Sequence, residues 1–312
     1  MNTADTADTA DAADTTGQRV CFLTDKPDHP LLAATAALLA DRHHAHVEFT
    51  DPAAVPESAA ESASESVPES AADALADVYL LKSHTPRAIR LARALERRGA
   101  RVVNSAASTE LCQDRVRMAE TALAAGLPFP VTRTVAPLSR ITAPPPSGYP
   151  FIVKSRANRR GDVVARVDDA AGLRELARRW PDELVVVQDF TPGDGWDHKL
   201  WVIAGQVFAG LRPSPLGAPN SPDGPETPHG DQPPPPPPPP GAHDLALQAG
   251  KVFALDVYGV DVIADRSGTP LIVDINAFPG FRGGSGAAQA LAALISSATM
   301  DTCERDTEFP SA

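Results

Sequence analysis

The sequence predicts a mixed α/β and α+β protein, a parallel sheet layer at the N-terminal side followed by units built on hairpins. Three observations carry this. Over residues 18–105 short apolar runs alternate with helical-period segments across short links. From Phe151 onward apolar runs come in pairs around loops or turns. Last, two β-branched runs, Val260–Ala264 and Leu271–Ile275, flank the turn-forming stretch Asp265-Arg266-Ser267-Gly268-Thr269.

A chain of 312 residues has room for two or three modest domains with cores of their own. Its net charge of -12 is concentrated. Residues 1–17 carry four Asp and no base, and residues 51–77 carry seven acids and no base; outside them 29 acids face 28 bases. Bulk charge therefore makes no case for nucleic acid or an anionic membrane. Three dispersed cysteines, Cys21, Cys112 and Cys303, suggest neither a disulfide framework nor a zinc site. With no signal-like start and no long apolar run, the expectation is a soluble cytoplasmic protein.

In chain order, the Thr-Ala-Asp repeat of residues 1–17 reads as a disordered tail. Arg19–Thr24, His46–Thr50, Val78–Lys82 and Arg101–Val103 read as strands, and Leu31–Arg42 and Arg87–Arg98 as helices. Thr85-Pro86 supplies the N-cap and first-turn proline of the second helix, and Gly99 its stop. The whole of 18–107 is expected to be a parallel, Rossmann-like domain, interrupted by a flexible acidic insertion at 51–77.

Ser108–Ala125 reads as one helix, followed by a proline-containing linker up to Pro150. Phe151–Lys154 and Gly161–Val167 read as strands, Ala170–Trp180 as a helix and Leu184–Phe190 as a strand, completing a unit over 108–190. In the following unit, 191–297, Lys199–Ile203 and Gln206–Leu211 form a hairpin. Residues 213–243 hold fourteen of the 32 prolines, eight of them consecutive at Pro233–Pro240. That tract is polyproline II or disordered; it can dock a partner, and a spacer is the simpler reading. Asp244–Leu255 is a helix, Gly286–Ser297 a closing helix, and 298–312 a loose tail.

Placing the last hairpin's centre between Ser267 and Gly268 sets Asp261 opposite Asp274, with Asn276 two residues further on the same face. Opposed carboxylates repel, so a cation between them is expected, and the oxygen-only set suits Mg²⁺ arriving with nucleotide phosphates. Two exposed aspartates flanking a turn are the plain alternative; the third oxygen and the following Pro279-Gly280 favour the metal. Lys154, at a strand end before a loop, suits the nucleotide's phosphates. Gln188, Asp189 and Phe190 end another strand and can present backbone to an adenine edge. Lys199 and Arg212, on the two arms of the hairpin that turns near Ala204-Gly205, are cations suited to a transferring phosphoryl group. Ser83 and His84, just beyond a parallel strand's carboxyl end, are candidate substrate contacts. His43, His44 and His46 read as helix-terminal or solvated rather than as a metal site.

The segments QDRVRMAETALAAGLPFP, FIVK, VVVQDF, GWDHKLWVIAGQVFAGLRP and GVDVI…VDINAFPG, in this order, resemble the ATP-grasp superfamily across about 18–297. The resemblance implies a pre-ATP-grasp domain, then two subdomains that clasp ATP. It implies Arg115 near the nucleotide, Lys154 on the phosphates, Gln188–Phe190 as the adenine hinge, and Asp261, Asp274 and Asn276 holding one or two Mg²⁺, with Mn²⁺ as a substitute. Lys199 and Arg212 fall near the γ-phosphate and acceptor. There are two departures. The loop SRANRRGDVV has one glycine where a glycine-rich lid is usual, and Asp274 stands where the amide-forming members more often carry Glu.

Two branches are compatible. One is similar to the RimK-type glutamate-adding enzymes, carboxylate–amine ligases working through an acyl phosphate; Gly195-x-Asp197-x-Lys199 and Arg212 suit it, and it is preferred. The other is similar to the inositol 1,3,4-trisphosphate 5/6-kinases and is favoured by DINAFPGF and Asp274. For it, Lys82, His84, Arg87, Arg156, Arg159, Arg160, Lys199 and Arg212 would form a cationic pocket. A non-catalytic ATP-binding module using the proline tract is a third reading, opposed by the intact Asp261/Asp274/Asn276 set.

Overall fold

The computed structural model describes residues 17–56, 75–159, 161–216, 237–281 and 285–307. The Thr-Ala-Asp repeat, most of the 51–77 insertion, Arg160, the centre of the proline-rich segment and the last five residues lie outside the described residues.

Four strands, β1 (Arg19–Leu23), β2 (His46–Thr50), β3 (Val78–Leu81) and β4 (Val102–Val103), form a parallel sheet in the order β2-β1-β3-β4. Val20 and Phe22 pack with Leu32 and Leu39 of α1 (Pro30–His43), while Cys21 and Leu23 pack with Ile89, Leu91 and Leu95 of α2 (Pro86–Arg97). Burial on both faces is why Val20–Leu23 are all apolar instead of alternating. Thr85 caps α2 as expected, its hydroxyl accepting from the Ala88 N–H at 3.2 Å, a contact worth about 1 kcal/mol. His43 and His44 close α1 and His46 opens β2.

A third helix on this layer comes from the far end of the chain. α7 (Ala287–Thr307) places Leu291, Leu294 and Ile295 in the same core as α1. It continues past Ser297, where a loose tail was expected, since no Gly or Pro interrupts residues 287–307. Asn104, 1% exposed, ties the parallel layer to residues 256–257: its Nδ2 donates to the Val257 carbonyl (2.6 Å), and its Oδ1 accepts from the Asp256 (2.8 Å) and Val257 (3.0 Å) N–H groups.

The single helix expected over Ser108–Ala125 is two, α3 (Ala106–Gln113) and α4 (Arg115–Ala124). Asp114 breaks it by taking an extended backbone and turning its carboxylate onto the Val116 (3.0 Å) and Arg117 (3.4 Å) N–H groups. A short acidic side chain competes in this way for helix donors and favours the cap over the interior. The expected linker after α4 contains a further strand, β5 (Thr132–Pro137), at a sheet edge where proline is tolerated.

β5 pairs with β8 (Leu184–Asp189) in a sheet of order β5-β8-β6-β7, with β6 (Phe151–Ser155) and β7 (Val164–Val167). Its Phe151, Val153, Val185 and Val187 share a core with Leu173 of α5 (Ala170–Arg179). The last sheet, β10-β9-β11-β12, comprises β9 (Trp196–Ile203), β10 (Gln206–Pro213), β11 (Val257–Ala264) and β12 (Pro270–Ala277). Leu200, Val202, Val260, Val262, Ile272 and Ile275 pack onto α4 and α6 (Ala242–Phe253). The remaining faces of these two antiparallel sheets supply the side chains that enclose a cavity between them.

Candidate active site

The cavity is about 380 Å³ and draws its walls from both antiparallel sheets. Ile152, Lys154, Val164, Gln188, Asp189 and Phe190 come from one sheet and the residue that follows its β8; Asp197, Arg212, Asp261, Val273 and Asp274 come from the other. Period-two alternation explains the first set: Phe151 and Val153 point into the core beneath α5, so Ile152 and Lys154 point out.

Alternation alone would fail on β12. At the hairpin tip Ala264 faces Pro270 and Val262 faces Ile272, one residue tighter than a turn centred between Ser267 and Gly268. A bulge then leaves Val273 unpaired, and from there Asp261 faces Asp274, the expected pair. The extra residue returns Asp274 to the cavity side while Ile272 and Ile275 both stay in the core. It also frees the Val273 carbonyl, which accepts from Lys154 Nζ at 2.7 Å and so links the two sheets.

Each aspartate has a cation. Lys199, opposite Asp261 on β9, donates to its Oδ2. Arg115, brought inward by the break at Asp114, lies 3.6 Å from Asp274 Oδ2 and also donates to the Ser155 carbonyl (2.9 Å), Asp162 Oδ2 (2.5 Å) and Asn158 Oδ1 (3.1 Å). Arg212 donates twice to Asp197 Oδ2, at 2.9 and 2.7 Å. Burial pushes the Asp261 carboxyl above its usual range; Lys199 opposes that shift and the facing Asp274 adds to it. Burial pushes the Lys154 ammonium down, with Asp274 opposing and Arg115 reinforcing.

The expected residues divide. Arg115, Lys154, Gln188, Asp189, Phe190, Arg212, Asp261 and Asp274 line one cavity. Lys199 stands behind Asp261, and Asn276 beside it in the sheet, its Oδ1 accepting from Asn158 Nδ2 at 3.0 Å. Ser83 and His84 lie apart, His84 hydrogen-bonding the Ala277 backbone just beyond Asn276. Several of the cations expected for a polyanion pocket have partners of their own. Arg156 pairs with Asp114, Arg159 with Glu183, Arg212 with Asp197 and Lys199 with Asp261, while Arg87 donates to the Val55 carbonyl.

Sequence reasoning missed the supports. Arg133 and Ser147 hold Asp189 Oδ1 (2.5 and 2.6 Å), and Gln188 Nε2 donates to Thr132 Oγ1 (2.7 Å). The start of the proline-rich segment, Ser214–Leu216, walls the cavity. Ile152 was findable as the residue two before Lys154; the others are long-range contacts without a local signal.

Two carboxylates with an amide oxygen on the same face are hard donors that fit Mg²⁺, and the raised Asp261 carboxyl marks charge that a divalent cation would offset. Among the described residues no three His, Cys, Asp or Glu side chains gather as a metal site, so phosphate oxygens or water would complete such a shell.

No family model matches the chain. Among curated proteins it is 29% identical over 199 residues to a protein of Parasynechococcus marenigrum named probable alpha-L-glutamate ligase, covering 62% of this chain and 42% of that one. It is 28% identical over 197 residues to probable alpha-L-glutamate ligase 2 of Hahella chejuensis, covering 61% and 63%. It is 26% identical over 217 residues to human N-acetylaspartylglutamate synthase A, covering 66% and 54%. The chain thus spans about half the length of these relatives, which are named ligases or synthases. Among solved structures, a RimK domain ATP-grasp protein of Sphaerobacter thermophilus superposes with TM-score 0.66 at 23% identity, over 90% of this chain and 99% of that one. D-alanine–D-alanine ligase of Bacillus anthracis gives 0.62 at 13%, over 93% and 99%. The ATP-grasp ligase PsnB, with precursor, Mg and ADP, gives 0.59 at 18%, over 90% and 98%. The chain therefore has the ATP-grasp fold. The resemblance read in its motifs holds, and the relatives it meets are those of the RimK-like, glutamate-ligase side.

Proposed function

We propose that the protein is an ADP-forming carboxylate–amine ligase that binds Mg²⁺-ATP between its two antiparallel sheets. The observation that carries this reading is one cavity with opposed polarity: Arg115, Lys154, Asp261 and Asp274 line it together with Gln188, Phe190, Ile152 and Val164. The apolar group suits a purine between strands, and the charged group suits phosphates with their metal. In this reading residues 18–107 are the Rossmann-like pre-ATP-grasp domain, and 108–190 and 191–297 the two clasping subdomains.

Asp261, Asp274 and Asn276 would hold the metal, one or two Mg²⁺ or Mn²⁺, which screens the phosphates and the developing charge. Lys154, anchored on the Val273 carbonyl, faces the phosphates from the other sheet. Arg212 stands at the cavity wall, where Asp197 fixes its guanidinium for a transferring phosphoryl group; Lys199 holds Asp261 in orientation. A substrate carboxylate oxygen attacks the γ-phosphorus and ADP leaves; the amine then displaces phosphate from the acyl phosphate, losing a proton and forming the amide. Ser83 and His84 are the candidate contacts for the acceptor beyond Asn276.

Two observations favour the ligase over a phosphotransferase acting on a polyol phosphate: the relatives named above, and the engagement of Arg156 and Arg159 with acidic partners of their own. The test is ADP release from Mg²⁺-ATP across a panel of acids and amino acids with hydroxylamine as the amine. Hydroxamate formed in step with ADP is the expected result. ADP formed with a phosphorylated hydroxyl and no hydroxamate would establish the kinase, and ATP binding without ADP release under any condition would establish a binding module.

A further inference from the structure

Phe190 and Leu216 wall the cavity from two different elements, the end of β8 and the segment after β10, and one side chain outside the cavity holds both. That side chain is Arg166 of β7. Its guanidinium carbon is 4.3 Å from the Phe190 ring centroid. Its Nη1 donates to the Leu216 carbonyl at 3.4 Å, and its Nε donates to Asp168 Oδ1 at 2.7 Å. The side chain is 15% exposed and lines a separate, neighbouring cavity with Tyr149, Pro192 and Arg266, so it meets Phe190 from outside the cavity assigned to the nucleotide.

We propose that Arg166 is a positioning residue for the purine end of the nucleotide, acting through Phe190 and Leu216 without touching the ligand. The proposal rests on the nucleotide reading of the cavity given above. Arginine suits the place because its guanidinium offers a flat face to a ring while its edge donates to two acceptors; a lysine ammonium has no flat face and cannot reproduce the set. Asp168 sets the plane of the guanidinium. With Arg166 removed, Phe190 loses the cation behind its ring. Among the described residues a backbone tether then remains two residues earlier, where the Ser214 N–H donates to the Gly195 carbonyl at 2.8 Å. Lys154 and the aspartates, assigned to the phosphates, have other partners: Lys154 donates to the Val273 carbonyl, Lys199 to Asp261, and Arg115 stands by Asp274.

The experiment is a pair of calorimetric titrations, one with Mg²⁺-ADP and one with Mg²⁺-tripolyphosphate, which lacks the purine. Arg166→Ala should weaken ADP roughly tenfold and leave tripolyphosphate within about twofold. Arg166→Lys, which keeps the charge and protects the fold, should weaken ADP about threefold, again without touching tripolyphosphate. Unchanged ADP affinity in Arg166→Lys together with Arg166→Ala overturns the proposal, as does an equal loss for both ligands, which would mean general loosening. Failure of the unaltered protein to bind either ligand overturns the nucleotide reading itself and this inference with it.

Discussion

Asp261 and Asp274 face each other directly across β11 and β12, and each is held by a cation from a different part of the chain, Lys199 on the neighbouring strand and Arg115 at the start of α4. Opposed like charges destabilise a sheet, and these are also withdrawn from water, which raises the Asp261 carboxyl. Two monovalent partners let the pair persist. In the reading proposed above, a divalent ion would complete the compensation.

Asp274→Asn keeps the shape and removes one charge. Turnover of Mg²⁺-ATP should fall by at least about 100-fold, because the metal and the developing charge lose a fixed anion. The fold should survive, since Arg115 retains Asp162, Asn158 and the Ser155 carbonyl. ADP release and thermal melting measured side by side check this, and ADP release at the unaltered rate would remove Asp274 from the mechanism.

Asn104→Ala deletes a buried clamp. The N–H groups of Asp256 and Val257 and the Val257 carbonyl lose their shared partner where the parallel layer meets β11. Leaving such groups unpaired should cost about 2–4 kcal/mol. Urea unfolding measures it, and a loss below about 0.5 kcal/mol would mean that water takes the amide's place.

His84 makes stability depend on acid. Burial is the main reason that its imidazole is held at about 4 instead of 6.5; the neighbouring Lys82 charge adds to this, while the Ala277 backbone hydrogen bond and Asp25 oppose it. Between those values the unfolded chain takes up a proton that the folded protein does not. Its contribution is therefore complete above pH 6.5 and is lost as pH falls from 6.5 toward 4. His84→Gln should flatten this window. The check is unfolding free energy at pH 7, 5.5 and 4.5 for both proteins, and a difference between them that does not change with pH would contradict it.

Much of the fold was legible locally. Runs buried on both faces marked the parallel strands, Thr85-Pro86 marked a helix start, and the Asp265–Thr269 turn marked the hairpin. The misses share one cause, local signals overridden or supplied from afar. Helical propensity ran through Asp114, whose carboxylate instead caps the next helix; the β5 strand is made by its pairing to β8. The site was legible as a set of residue types, whereas the partners that orient it, such as Asp162 for Arg115 and Arg133 for Asp189, come from sequence separations of 47 and 56.

By itself the sequence determined most of the strand and helix positions, the Asp261–Asp274 pairing and the order of parts that resembles an ATP-grasp enzyme, because alternation, turn chemistry and capping act over a few residues. Only the tertiary structure decided that a bulge at Val273 turns Asp274 into the cavity while freeing a carbonyl for Lys154. It alone gave Asp261 and Asp274 their separate cations, and it alone set α7 against α1. Those outcomes depend on which faces of distant elements meet, and burial and charge pairing across the chain select them over any local preference.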